Sequence, residues 1–253
     1  MKYLFILFFL ISISFGQSQN TLQSPQQFLN YKLGTSFTRH HQVVDYFEHL
    51  VENSNNINYS NYGKTNENRL LTYAVLSSEE NLSKIEQIRQ DQLKQTGILS
   101  GDSNPGIAVV WLSYNVHGNE ASSTEAAMET AYQLITSQQD VLENTVVIID
   151  PVVNPDGRAR YVNWYNQVKA TPYSPYQDAV EHHEPWVSGR PNHYLFDLNR
   201  DWMWATQVET QQRIKLYNQW MPHIHVDFHE QGINQPYYFA PAAEPFHEII
   251  TDF

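Results

Sequence analysis

The 253-residue chain has no cysteine. Disulfides are excluded, and so is a lipid anchor on an N-terminal cysteine, so stability must come from a packed core and from any bound metal. Basic residues are also scarce. Fifteen Lys and Arg stand against 27 Asp and Glu, the net charge is −12, and no basic run is present. That balance argues against nucleic acid or an anionic membrane surface as partner and leaves a small or peptide-like ligand. There is no internal repeat and no low-complexity tract. With 41% apolar residues, the length suits one large α/β domain with a substantial core.

A long apolar stretch stands at the N-terminus. Lys2 is followed by apolar residues 3–15, which end in small residues at Ser14 and Gly16. The run is short against the ~20 residues of a spanning helix and has no basic flank after it. It predicts a signal peptide over residues 1–16 cut after Gly16, hence an exported, periplasmic or extracellular protein with no membrane attachment after cleavage. A polar linker over 17–29 and a single domain over 30–253 follow.

Along that domain, strand and helix patterns alternate. Helical spacing covers residues 38–52, a charged helix 79–94, a strong helix former 122–135 and a further helix 205–220. Apolar strand runs cover 70–76, 106–113, 145–149 and 224–228. Such alternation predicts an α/β fold with a mixed, largely parallel sheet flanked by helices. Residues 158–191 show little periodicity and many aromatics, which predicts a long loop that either packs on itself or lines a site. Asn154-Pro155-Asp156-Gly157 is strong turn chemistry.

The chemistry centres on His117-Gly118-Asn119-Glu120, after one strand run, and on His229, just past another. Two imidazoles and a carboxylate are a common zinc set, and three protein ligands leave a position open for reaction. The bare His-x-x-Glu pattern is weak, because His49 and Glu52 repeat it. Context separates the two copies. His49 and Glu52 lie within a helical pattern and read as a solvated face, whereas His117 follows a strand and precedes a helix. Loops at strand C-termini are where α/β folds place ligands.

Four ordered motifs then carry a resemblance: His117-Gly118-Asn119-Glu120, Asn154-Pro155-Asp156-Gly157, Asp197-Leu198-Asn199-Arg200-Asp201-Trp202 and Asp227-Phe228-His229. Together they resemble the zinc carboxypeptidase family, peptidase family M14. The resemblance implies one Zn²⁺ held by His117, Glu120 and His229, and Asp197 as the carboxylate behind the first ligand histidine. It implies Asn199 and Arg200 as the pair holding the substrate's C-terminal carboxylate, a group the Arg fork matches in two hydrogen bonds. For the arginine that stabilises the developing oxyanion, Arg190 is the nearest candidate and Arg160 another.

The family's general base is a glutamate well downstream of the third ligand. Glu230, Glu244, Glu248 and Asp252 do not match its context, and Glu230 should point away from the site if the strand continues. The base is therefore expected beyond Phe253, in a chain that is a fragment with its C-terminal part missing. The implied activity is a secreted zinc metallocarboxypeptidase acting on peptides with a free C-terminal carboxylate. Peptidoglycan stem peptides are among the substrates an exported enzyme could meet. Two alternatives stay open. One is an N-acyl amino acid deacylase of the aspartoacylase or succinylglutamate desuccinylase type, told apart by turnover of an acyl-aspartate. The other is a non-catalytic zinc- or peptide-binding protein, told apart by binding without turnover.

Overall fold

A computed structural model describes residues 21–104 and 106–232. The expected signal peptide, Glu244, Glu248 and Asp252 lie outside the described residues.

The centre is a five-stranded mixed sheet in the order β1-β2-β4-β3-β5. Its strands are β1 (Ile57–Lys64), β2 (Leu70–Leu76), β3 (Ala108–Tyr114), β4 (Thr145–Asp150) and β5 (Ile224–Phe228). β1 and β2 form an antiparallel half, with β2 antiparallel to β4, whereas β3 runs parallel to both β4 and β5. The C-terminal ends of β3, β4 and β5 thus open on one edge, and each continues into a motif of interest.

Among the described residues, seven α-helices flank the sheet: α1 (Pro25–Leu29), α2 (His40–Glu52), α3 (Glu79–Ser83), α4 (Ile85–Gln95), α5 (Ser122–Thr136), α6 (Pro155–Val168) and α7 (Val208–Trp220). Strand alternation feeds two cores. Val147 and Ile149 of β4 pack with Phe47 and Leu50 of α2 and Met128 of α5, while Val146 and Ile148 meet Trp111 of β3 and Leu216 and Trp220 of α7. The result is three layers, with the sheet between two helical faces.

Besides the edge strand β1, which no sequence pattern announced, the structure departs from the sequence patterns in four places. Residues 155–168, expected as turn and loop, form α6. Asn154 Oδ1 accepts from the Gly157 N–H at 3.0 Å and Pro155 fills the first helical position, so what read as a turn is a helix N-terminus. The expected helix over 79–94 is broken in two at Lys84. Part of the expected linker forms α1, with Leu29 in the core. His49 is half-buried rather than solvated: its Nε2 accepts from the Gln23 N–H at 3.0 Å and its ring packs on Phe28.

Candidate metal centre

His117 and Glu120 stand in the loop that leaves β3, and Asn115 shapes that loop. Asn115 is fully buried at φ 61°, a left-handed conformation that asparagine tolerates better than most residues. Its Nδ2 donates to the carbonyls of His117, Gly118 and Glu120 at 2.9, 3.2 and 3.0 Å. One amide thereby gathers three carbonyls, and the loop curls so that His117 and Glu120 face the same point. Gly118 is required by close approach, because a Cβ there would collide with the backbone at Gly157, Arg158 and Gly189.

His229 arrives from the other parallel strand. Phe228 stacks on Tyr114 with ring centroids 4.3 Å apart, which brings the end of β5 against the end of β3. Glu120 then accepts from both imidazoles: Oε1 lies 2.7 Å from His117 Nδ1 and Oε2 lies 3.0 Å from His229 Nδ1. The two Nδ1 atoms are 3.3 Å apart. Burial alone would raise the Glu120 carboxyl, but hydrogen bonds from His117 and His229 outweigh it and hold the group at about 2. The same hydrogen bond raises His229.

On the far side of the His117 ring, Nε2 meets Asp197 Oδ1 at 3.1 Å. With a cation in place of the proton that Nδ1 gives Glu120, that carboxylate would keep the proton on Nε2 and leave the Nδ1 lone pair to the metal, the tautomer a metal ligand needs. Asp197 is held in turn by the Asn199 N–H at 2.9 Å and by Arg190 Nη2 at 3.0 Å. Burial would raise its carboxyl, but His117, the Asn199 N–H and Arg190 lower it.

One ligand atom from each of His117, Glu120 and His229 lies within 4.8 Å of the others. Two imidazole nitrogens this close, both facing one carboxylate, fit a shared cation, and the nitrogen-rich donor set suits Zn²⁺ better than a hard ion. Glu67, Asp156 and His193 form a second group of potential ligands. There Arg69 Nη1 already bonds both carboxylates, so a fixed cation occupies the place an ion would take.

Arg190 and Arg160, left as alternatives by the sequence, separate clearly. Arg190 Nη1 is 3.6 Å from Glu120 Oε1, at the cluster, whereas Arg160 braces a loop through the carbonyls of Ser188, Pro191 and Asn192. Asn199 and Arg200 lie on a turn of 3-10 helix, Leu198–Arg200, directly after Asp197. The exposed Arg200 bonds the Asn199 carbonyl at 3.0 Å and makes no ion pair among the described residues. Trp202 pins this turn from behind. Arg213 lies 4.0 Å over its ring, and Tyr217 and His225 meet its edges at 5.5 Å.

Glu230 does not face the cluster with its carboxylate. β5 ends at Phe228, and Glu230 Oε1 accepts from the Ser122 N–H at 2.8 Å and from the Ser122 hydroxyl, at the start of α5. Sequence reasoning missed both this cap and Asn115. The available signal for Asn115 was an asparagine just past a strand, a position where left-handed backbone is common.

The zinc carboxypeptidase family model matches residues 43–225. The chain belongs to the zinc carboxypeptidase family. It is similar to the solved carboxypeptidase A from Helicoverpa armigera, with 15% identity over 78% of this chain and 46% of that one, at a TM-score of 0.49. It is also similar to a metallo-carboxypeptidase from Pseudomonas aeruginosa, with 14% identity over 78% of this chain and 40% of that one, at a TM-score of 0.49. The chain thus spans less than half the length of either. No curated protein matches it in sequence.

Proposed function

We propose that this zinc carboxypeptidase-family chain is part of an exported metallocarboxypeptidase that removes C-terminal residues from peptides. The observation that carries the reading is the convergence of His117 Nδ1, His229 Nδ1 and the Glu120 carboxylate, with Asp197 on the outer nitrogen of His117. Such a site would hold one Zn²⁺, which supplies a Lewis acid for the scissile carbonyl and lowers the pKa of water.

The chain's own residues take the remaining roles. Arg200 and Asn199 bind the terminal carboxylate, which restricts cleavage to chain ends. Arg190 places a positive group beside the position where charge develops on the carbonyl oxygen. Because Glu230 is committed to the start of α5, the proton acceptor for the attacking water falls to a carboxylate outside the described residues. Export rests on the apolar residues 3–15, and the mature protein should begin at Gln17.

The test compares a blocked dipeptide with its C-terminal amide. The expected result is chelator-sensitive, zinc-restored hydrolysis of the free acid alone, with Arg200→Ala raising KM far more than it lowers kcat. Loss of one such charged contact corresponds to about 2–5 kcal/mol if the pair is buried. Chelator-insensitive hydrolysis would overturn the reading, and preferential turnover of an acyl-aspartate would replace it with a deacylase. Recovery of the protein from the cytoplasm with Met1 intact would overturn export.

A further inference from the structure

The helix that follows the first two ligands has no cap of its own. α5 starts at Ser122, and the residue before it is Ala121, whose methyl accepts no hydrogen bond. Helix N-caps are ordinarily Ser, Thr, Asp or Asn, because their oxygen meets N–H groups that the helix leaves unpaired. The nearby acceptors are turned elsewhere. Ser123 gives its hydroxyl to the Glu120 carbonyl at 3.0 Å. Glu125, the acid of the first turn, pairs with Arg158 at 2.8 Å and accepts from the N–H and hydroxyl of Thr38.

The acceptor comes instead from 108 residues away. Glu230 Oε1 takes the N–H of Ser122, at 2.8 Å, and the Ser122 hydroxyl as well. A carboxylate at the positive end of a helix is favourable both as a charge and as an acceptor. A local cap would serve the helix equally; only the distant one ties α5 to the end of β5.

That tie closes a ring around the cluster. Glu230 follows the ligand His229, and Ser122 lies two residues after the ligand Glu120, whose Oε2 is 3.0 Å from His229 Nδ1. His229 is the ligand with the least other support. Its strand ends at Phe228, which is paired with Tyr114. His117 has Asp197 on its outer nitrogen, whereas among the described residues the outer nitrogen of His229 has no partner. The His229 side chain is 30% exposed, against 3% for His117.

We propose that Glu230 is a positioning residue for the metal centre: by capping α5 from the end of β5, it sets His229 against Glu120 and thereby the zinc affinity. The inference rests on the reading of His117, Glu120 and His229 as zinc ligands. Glu230 touches neither the ion nor the reacting atoms. It acts through the backbone on either side of the ligands, as partners behind a ligand do when they fix its orientation. Without the tie, His229 turns on a segment beyond the last strand pair, and the ion has to order it on binding.

The experiment is zinc titration of the chain against a competing chromophoric chelator, with urea unfolding of the metal-free protein alongside. The variants are Glu230→Ala, Glu230→Gln, Ser122→Ala and the double variant Ser122→Ala/Glu230→Ala. Both positions are exposed, so the core is spared. Partners behind metal ligands typically govern affinity by about 10–100-fold, and a loss of about tenfold is expected in Glu230→Ala. Glu230→Gln keeps an uncharged acceptor and should lose only about threefold, because a neutral hydrogen bond is roughly half as strong. Ser122→Ala should weaken zinc binding on its own and add nothing to Glu230→Ala, since its hydroxyl then has no carboxylate to meet. With Co²⁺ in the site, Glu230→Ala should shift the visible bands, which report ligand geometry. A cap that serves the helix alone would lower the urea midpoint and leave zinc affinity and the cobalt bands unchanged. That result would overturn the proposal, and so would additive effects of the two alanine substitutions. If the wild-type chain binds no zinc, or binds it as tightly with Glu120→Gln, the metal-centre reading itself falls and this inference with it.

Discussion

Asn115 concentrates more of the metal loop's geometry than either ligand it positions. Its amide serves the carbonyls of His117, Gly118 and Glu120, and its own backbone carbonyl accepts from the Asn154 N–H at 3.1 Å, joining the loop to the N-terminus of α6. Replacement by alanine leaves three carbonyls in competition for no donor and keeps a left-handed backbone that alanine tolerates poorly. Unsatisfied buried groups cost about 1–3 kcal/mol each and the φ about 1 kcal/mol more, with relaxation offsetting part of the sum. Asn115→Ala should therefore destabilise the chain by about 2–4 kcal/mol in urea unfolding and weaken zinc binding, although it touches no ligand atom. An unchanged zinc affinity in the folded variant would show that the ligands are held by something else.

At the scale of elements, one row across the sheet brings Asp150 of β4, Ser113 of β3 and Asp227 of β5 side by side. Two carboxylates on one row are tolerated because Tyr62 donates to Asp150 at 2.8 Å and His225 lies 3.0 Å from Asp227. Burial still pushes Asp150 up to about 7, against the opposing pull of Arg213. The ordinary value of an aspartate is 3.8, so with an ordinary carboxyl in the unfolded chain the folded state is the better proton binder between those values. The stabilisation this gives is fully present below about pH 4 and is lost as pH rises through 7. Asp150→Asn should flatten that part of the stability profile and raise stability at pH 8 by on the order of 2–4 kcal/mol. Parallel urea midpoints for the two proteins across pH 4–8 would disprove the assignment.

The same elements show what a sequence can display. β2, β3 and β4 were legible because buried strands need apolar runs, and α2 because its one buried face repeats at helical spacing. β1 escaped: it is an edge strand whose pattern alternates polar and aromatic residues with little burial. α6 escaped because its buried side chains include Asp156 and Arg158, so its inner face carries charge instead of an apolar stripe. That His117, Glu120 and His229 come together was legible through motif order, but the cap that engages Glu230 and the separation of Arg190 from Arg160 depended on tertiary contacts that leave no local pattern.

For the whole molecule, the cluster ties together parts of the chain 112 residues apart, at the ends of two parallel strands. No disulfide can share that task in a chain without cysteine. A cation held only by the folded chain adds its binding free energy to folding, about 2.7 kcal/mol at a hundredfold excess over Kd. In a chain of this size that corresponds to a melting shift of about 5–10 °C. The net charge of −12 offers a competing account, in which any divalent cation relieves general repulsion. Magnesium separates the two, since it prefers oxygen ligands and gains little from two imidazoles. Zinc should raise the melting temperature and chelation lower it, magnesium at equal concentration should do neither, and Glu120→Gln should lose most of the zinc response. Equal shifts with both metals would mean that the stabilisation is a property of the acidic surface and that the three ligands do not form the structural hub of the parallel strands.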